Sequence, residues 1–148
     1  MTTESMKIAD IMTRDVTVVR PESSVQEAAG AMRRLNVGSV PVCTGRKLIG
    51  MLTDRDIALR LAAEGRDATN TPVKEIMTPD VVFVYDDQSV QEAADVMSSH
   101  QIRRLPIINR DKELVGIVAL GDLAVDGPDK QVSGNVLEQV SEPARPKR

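Results

Sequence analysis

Apolar positions along this chain follow two periods in turn. Val16-Thr17-Val18-Val19 is a β-branched run and predicts a strand. After it, Val25, Ala28, Ala29, Met32 and Leu35 recur at helical spacing and give a helix one apolar face. That helix has a clear start. Ser24 followed by Glu27 is a capping box: the hydroxyl caps the third helical N–H, and the Glu returns to the cap residue's own N–H. Apolar runs at 39–43 and 48–52, on either side of the polar turn Thr44-Gly45-Arg46, predict two more strands. A helix over 54–63, carrying Ile57, Leu59 and Leu61, closes the pattern, and a short helical turn over 7–12 opens it.

The whole pattern then returns. Ile11-Met12-Thr13 recurs as Ile76-Met77-Thr78, a spacing of 65 (76 minus 11). Ser24-Val25-Gln26-Glu27-Ala28-Ala29 recurs as Ser89-Val90-Gln91-Glu92-Ala93-Ala94, and Pro41 as Pro106, at the same spacing. After one inserted residue near Glu113, Gly50 matches Gly116 and Asp56 matches Asp122. The second copy predicts a helical turn over 73–77, strands over 81–84, 104–108 and 114–118, and a closing helix cut short by Gly127-Pro128, with a further helix near 135–140. The fold class predicted is α/β (α+β): two tandem β-α-β-β-α domains, residues 7–65 and 73–140. A polar linker (66–72) joins them, and a tail (141–148) with two prolines and no apolar anchor predicts disorder.

Composition narrows the function. At 148 residues the chain supports one good core or two small ones, and with one Phe, one Tyr and no Trp that core is aliphatic. A net charge of −3 gives no general attraction to nucleic acid or anionic membrane, and single-stranded nucleic acid would also find few aromatic stacking platforms. The lone Cys43 lies in an apolar run, which predicts a buried, inert thiol and excludes an internal disulfide. No apolar run reaches the length of a membrane span, and the first residues lack signal-peptide character, so a cytoplasmic protein is expected.

Candidate chemistry sits where the third strand of each copy meets its closing helix. In Gly50-Met51-Leu52-Thr53-Asp54-Arg55-Asp56 the Thr53 hydroxyl is placed to donate to a phosphate at a helix start, and Asp56 to accept from both hydroxyls of a ribose. Thr53-x-x-Asp56 also fits an ordinary capping box. The second copy, Gly116-Ile117-Val118-Ala119-Leu120-Gly121-Asp122, keeps the acid without the hydroxyl. Asp122 is therefore poorly explained as half of a capping pair, although a helix-dipole charge remains an alternative. Arg103 and Arg104 enter an apolar strand side by side, where a guanidinium suits a phosphate or lies along an exposed edge. Copy one has Gly38 and Ser39 at those places, and Gly38 would let a ligand approach the backbone closely. His100 stands alone at a helix end. The sequence shows no metal-ligand cluster, P-loop, G-x-G-x-x-G run or Ser/His/Asp set, and nothing in it points to catalysis.

The paired Ile-Met-Thr starts, the Val-Gln-Glu-Ala-Ala helices, Val40-Pro41-Val42 with Leu105-Pro106-Ile107, and the closing Gly-x-x-Thr-x-x-Asp resemble tandem cystathionine-β-synthase (CBS) domains over about residues 7–125. The closest likeness is to small stand-alone bacterial proteins made of one such pair. The resemblance implies a pseudo-two-fold CBS pair, commonly a homodimer through its helices, with clefts for adenosyl ligands: AMP, ADP, ATP, S-adenosylmethionine or NAD. It implies a regulatory sensor without catalysis that signals to an effector protein. A ligand-independent interaction module with vestigial clefts is the alternative. On this likeness Asp56 and Asp122 match the ribose-binding acids and Thr53 the phosphate-contacting hydroxyl. Thr17, Val18, Val82 and Phe83 match the adenine-holding strands, and Arg103 and Arg104 the phosphate-reaching bases. Thr13, Gly38, Ser39, Pro41, Arg55, Thr78 and Pro106 complete the candidate ligand-binding set.

Overall fold

Both predicted capping boxes are formed, and each starts a helix of eleven residues. The computed structural model describes residues 6–125; Gly127-Pro128, the helix expected near 135–140 and the tail from 141 lie outside the described residues. The chain forms two compact units. One is residues 17–81; the other, among the described residues, joins 6–16 to 82–125.

In the unit of residues 17–81, Ser24 caps α1 (Val25–Leu35), accepting from the Glu27 amide at 3.1 Å. Val25, Ala28, Ala31 and Met32 are buried. Leu35 lies on the same stripe but one turn past Met32, at the helix end, and is 46% exposed. β1 (Ser39–Thr44) and β2 (Lys47–Thr53) pair antiparallel, with Ser39 opposite Thr53 and Pro41 opposite Met51. The strand expected over 16–19 is reduced to one parallel bridge. The Val19 amide donates to the Pro41 carbonyl at 3.0 Å, and the Val19 carbonyl accepts from the Cys43 amide at 2.9 Å. The next ladder bond would need an N–H from residue 21, which is Pro21 and has none.

α2 (Asp54–Asp56) passes directly into a π-helix over Ile57–Ala62, in place of the regular helix expected over 54–63. Its hydrogen bonds span five residues: the Ala63 amide donates to the Ala58 carbonyl at 2.9 Å and the Arg66 amide to the Leu61 carbonyl at 2.9 Å. Leu61 is buried and Ile57 packs on the core. Leu59, two residues from each, falls on the other side and is 49% exposed.

The second unit repeats the plan with one gain. β3 (Val84–Tyr85) is a true parallel strand on β4 (Arg104–Ile108), because the residue at the place of Pro21 is Asp86, whose amide donates to the Ile108 carbonyl at 2.8 Å. This strand lies slightly past the expected 81–84. α3 (Val90–His100) is capped by Ser89, and β5 (Leu114–Ala119) pairs antiparallel with β4 before α4 (Leu120–Val125). The two aromatic side chains meet here: Phe83 stands edge-on to Tyr85, with ring centroids 5.6 Å apart. The Arg110 guanidinium covers the Tyr85 ring at 3.9 Å and grips Asp87 through two hydrogen bonds of 2.7 and 2.8 Å. This fastens the β4–β5 turn to the residues after β3.

The sequence repeat and the compact units divide the chain differently. Ile76-Met77-Thr78, which opens the second repeat, lies in the unit of residues 17–81. The Met51 amide donates to the Thr78 carbonyl at 2.9 Å and the Thr78 amide to the Met51 carbonyl at 2.8 Å. Ile11-Met12-Thr13 docks in the same way on Ile117, with both bonds at 2.9 Å. A glycine under each methionine permits the approach. A Cβ on Gly50 would come within 2.7 Å of Met77 Sδ, and one on Gly116 within 2.5 Å of Met12 Sδ and 3.0 Å of the Thr13 carbonyl oxygen. Gly116→Ala is therefore expected to overpack this contact and cost about 1–3 kcal/mol, read as a lower urea midpoint at unchanged slope.

Candidate functional site

Each strand-to-helix junction is tied back to the start of the neighbouring strand. The Asp54 amide donates to the Gly38 carbonyl at 2.9 Å, and the Leu120 amide to the Arg103 carbonyl at 2.7 Å. These bonds seat each acid beside the strand pair of its own unit.

In the unit of residues 17–81 the capping box is complete. The Asp56 amide donates to Thr53 Oγ1 at 3.0 Å, and the Thr53 amide to Asp56 Oδ2 at 3.0 Å. The Asp56 side chain is deeply buried; the residue is only 5% exposed. Thr78 closes over the same carboxylate, its hydroxyl donating at 3.1 Å to Oδ1 and lying 3.3 Å from Oδ2. Arg60 Nε stands 3.9 Å from Oδ1, while the Arg60 guanidinium donates to the carbonyls of Ile76 and Met77. Of the other candidates, Ser39 is partly buried opposite Thr53 and Pro41 is buried, whereas Thr17, Val18 and Arg55 are exposed. Gly38 has a close neighbour within the protein: a Cβ there would lie 3.0 Å from Asp54 Oδ2.

The second unit arranges the same positions differently. The Ala119 amide donates to Asp122 Oδ2 at 2.8 Å. The expectation that Asp122 is poorly explained as half of a capping pair is thus corrected. The returning carboxylate bond needs only a backbone N–H, so it survives the loss of the hydroxyl. Arg104 faces Ala119 across the strands and is partly buried. Burial lowers its pKa, and the charge of nearby Asp122 opposes that shift. Arg103 is exposed, Pro106 is buried, and Val82 and Phe83 are partly buried. Thr13 is exposed and bridges Ile117; among the described residues it makes no hydrogen bond to Asp122, unlike Thr78 with Asp56.

Sequence reasoning missed Arg60, although its place four residues after Asp56 on a helical segment was a usable signal. It also missed a cavity of about 450 Å³ on the α1 side of the junction, lined by Ala29, Met32, Arg33, Asn36, Val37, Gly38, Asp54 and Ile57. Neither Thr53 nor Asp56 lines it. Among the described residues no group of three or more His, Cys, Asp or Glu side chains is placed to hold a metal, and no helix is long and apolar enough to cross a membrane.

The family model for the CBS domain matches residues 8–63 and 73–125, the two repeats in turn. The chain belongs to the CBS-domain family. A CBS domain-containing protein of Bacillus subtilis, YhcV, is 48% identical over 134 residues, covering 90% of this chain and 94% of its own length. Among solved structures, Hypoxic Response Protein I, determined with two coordinated zinc ions, matches with a TM-score of 0.73 at 38% identity, covering 80% of this chain and 97% of that one. CBSX2 in complex with AMP matches at 0.70 and 26% identity, covering 81% and 94%. The CBS domain pair of MJ0100, with 5′-methylthioadenosine and S-adenosyl-L-methionine, matches at 0.69 and 28%, covering 80% and 93%. The α+β tandem arrangement read from the repeat is that of this CBS pair.

Cys43 is buried in β1, and burial pushes its thiol up to about 11 from 9.0. The folded pKa lies above the unfolded one, so the stabilising contribution of the neutral thiol is complete below pH 9 and is lost as pH rises toward 11. The loss is at most roughly 3 kcal/mol. The stability advantage of the wild type over Cys43→Ala is expected to shrink over that window in urea titrations. At pH 8 a thiol reagent should label Cys43 only in denaturant.

Proposed function

We propose that this chain is a non-catalytic regulatory module that binds an adenosyl ligand, AMP, ADP or ATP in the first instance, and passes occupancy to an effector protein in the cytoplasm. The observation that carries this reading is the junction built twice, each with a carboxylate returned to the end of its strand pair, at Asp56 and Asp122. The family neighbours solved with AMP, and with methylthioadenosine and S-adenosylmethionine, support the class of ligand. On this reading the ribose hydroxyls donate to a family acid, the adenine lies against the segment at Thr17-Val18 or Val82-Phe83, and Thr53 or Arg103 and Arg104 meet the phosphate. Thr13, Ser39, Arg55 and Thr78 flank these groups.

A homodimer through the helices fits the same reading. Leu35 and Leu59 are exposed large apolar residues, and the 450 Å³ cavity beside α1 has a mixed lining that includes Met32, Val37 and Ile57 with Arg33, Asn36 and Asp54. The same surface favours the second reading, a ligand-independent interaction module.

Calorimetry with AMP, ADP, ATP, S-adenosylmethionine and NAD separates the two. At least one is expected to bind below millimolar Kd, with Asp56→Ala/Asp122→Ala weakening it by tenfold or more, a loss of about 1.4 kcal/mol. Absence of binding across the panel would leave the interaction module as the function. Sedimentation is expected to give a dimer that Leu59→Asp converts to monomer.

A further inference from the structure

The cavity beside α1 is separate from the acids of the two junctions: neither Asp56 nor Asp122 lines it. Its shape is set by backbone bonds. α1 ends at Asn36, which is left-handed (φ 56) and whose amide donates to the carbonyls of Arg33 and Met32, while the Val37 amide also returns to Met32 at 3.0 Å. The chain then folds toward α2, and the Gly38 carbonyl accepts from the Asp54 amide at 2.9 Å. Glycine permits that approach, since a Cβ there would lie 3.0 Å from Asp54 Oδ2. The end of α1 and the start of α2 are thereby held together. Arg33, Asn36 and Asp54 share one rim, over a floor of buried Met32 and half-buried Val37 and Ile57.

The polar groups of this rim are not spent on one another. Among the described residues the side chains of Arg33 and Asn36 make no hydrogen bond or ion pair, and Asp54 uses only Oδ1, which accepts from the Arg55 amide at 2.8 Å. Arg33 and Asp54 line the same space without pairing. Exposed charges alone mean little, but the other repeat is built differently here. Ser98 stands at the place of Arg33, Leu120 at that of Asp54 and Leu123 at that of Ile57. Leu120 is 5% and Leu123 1% exposed, both packed in the core of their own unit. Both charges and the open apolar floor therefore belong to the unit of residues 17–81 and are not part of the repeated architecture. Leu35 and Leu59, the exposed residues offered to a second copy, lie outside the lining.

The charges select the ligand. A simple carboxylate would pair with Arg33 but be repelled by Asp54, and a simple amine would meet the reverse. A zwitterion satisfies both, and an apolar tail finds cover on Met32, Val37 and Ile57. We propose that this cavity is a second binding site, for a free α-amino acid with an apolar side chain, its carboxylate on Arg33 and its ammonium on Asp54. At about 450 Å³ the cavity falls within the ~300–1,000 Å³ of small-molecule sites. The site stands apart from the adenosyl-ligand reading and does not depend on it.

The test is calorimetry of the intact protein with L-leucine. One leucine per chain is expected below millimolar Kd, and Arg33→Ala and Asp54→Asn should each weaken it by about tenfold or more. Leucine amide and isocaproate, which each lack one of the two charges, should bind the wild type at least about tenfold more weakly than leucine. These two compounds probe the charges on the unaltered protein, so the test holds even where a variant proves unstable. Both variants are expected to keep the wild-type urea midpoint, since neither side chain joins two segments. Saturating AMP should leave the leucine isotherm unchanged. No leucine bound up to about 10 mM would overturn the proposal, as would isocaproate binding as tightly as leucine, or both variants binding leucine at wild-type affinity. Displacement of leucine by AMP would place it in the nucleotide cleft and overturn this site while leaving the adenosyl reading intact. A wild type that binds no leucine, with Arg33→Ala or Asp54→Asn turning a dimer into a monomer in sedimentation, would assign the face to a second copy instead.

Discussion

The close seating of a methionine on a glycine is the contact on which both units depend. Met77 lies over Gly50 and Met12 over Gly116, at distances no Cβ would permit. That approach brings the backbone of each Ile-Met-Thr segment within hydrogen-bonding range of β2 or β5, adding a two-bond bridge to the outer side of the strand. It also decides which stretch of chain belongs to which unit. The segment that opens the second repeat completes the unit of residues 17–81, and the segment that opens the chain completes the other. In the first of these units it carries Thr78 onto Asp56, so a packing contact in aliphatic surroundings controls the hydrogen-bonding state of an acid.

The junctions show how one local device serves two ends. An acid three residues after the last strand residue returns to that residue's N–H, which fixes the strand-to-helix turn. The carboxylate has more acceptor capacity than the cap uses. What becomes of the surplus depends on the neighbours: a threonine hydroxyl takes it at Asp56, whereas among the described residues Asp122 accepts only from the Ala119 amide. Capping and ligand binding are therefore not competing explanations of the motif. The cap positions the acid, and on the proposed adenosyl-ligand reading its remaining lone pairs are what a ribose would meet.

Much of the fold was legible because its signals are local. Ser24 and Ser89 mark both long helices through hydrogen bonds spanning three residues, and the runs at 104–108 and 114–118 become β4 and β5 almost to the residue. The first strands were legible only in part. The β-branched run 16–19 has strand composition, but its ladder stops because Pro21 lacks the one N–H required, whereas Asp86 supplies it in the other copy. The closing helix at 54 was visible, but its π-helical hydrogen bonding and the exposure of Leu59 were not, because five-residue spacing leaves no distinct apolar period in six residues.

The sequence by itself determined the repeat, the helix starts, the aliphatic character of the core and the pair of acids, since each is written in neighbouring residues or in a fixed spacing. Only the tertiary structure decided which repeat's Ile-Met-Thr docks on which strand, because both copies carry the same motif and the same receiving glycine. It alone decided, too, that Asp56 is enclosed by Thr78 while Asp122 faces Arg104's strand. The partners of a carboxylate come from segments 22 residues away or across a sheet, and no local pattern of hydrophobic and polar positions encodes that meeting.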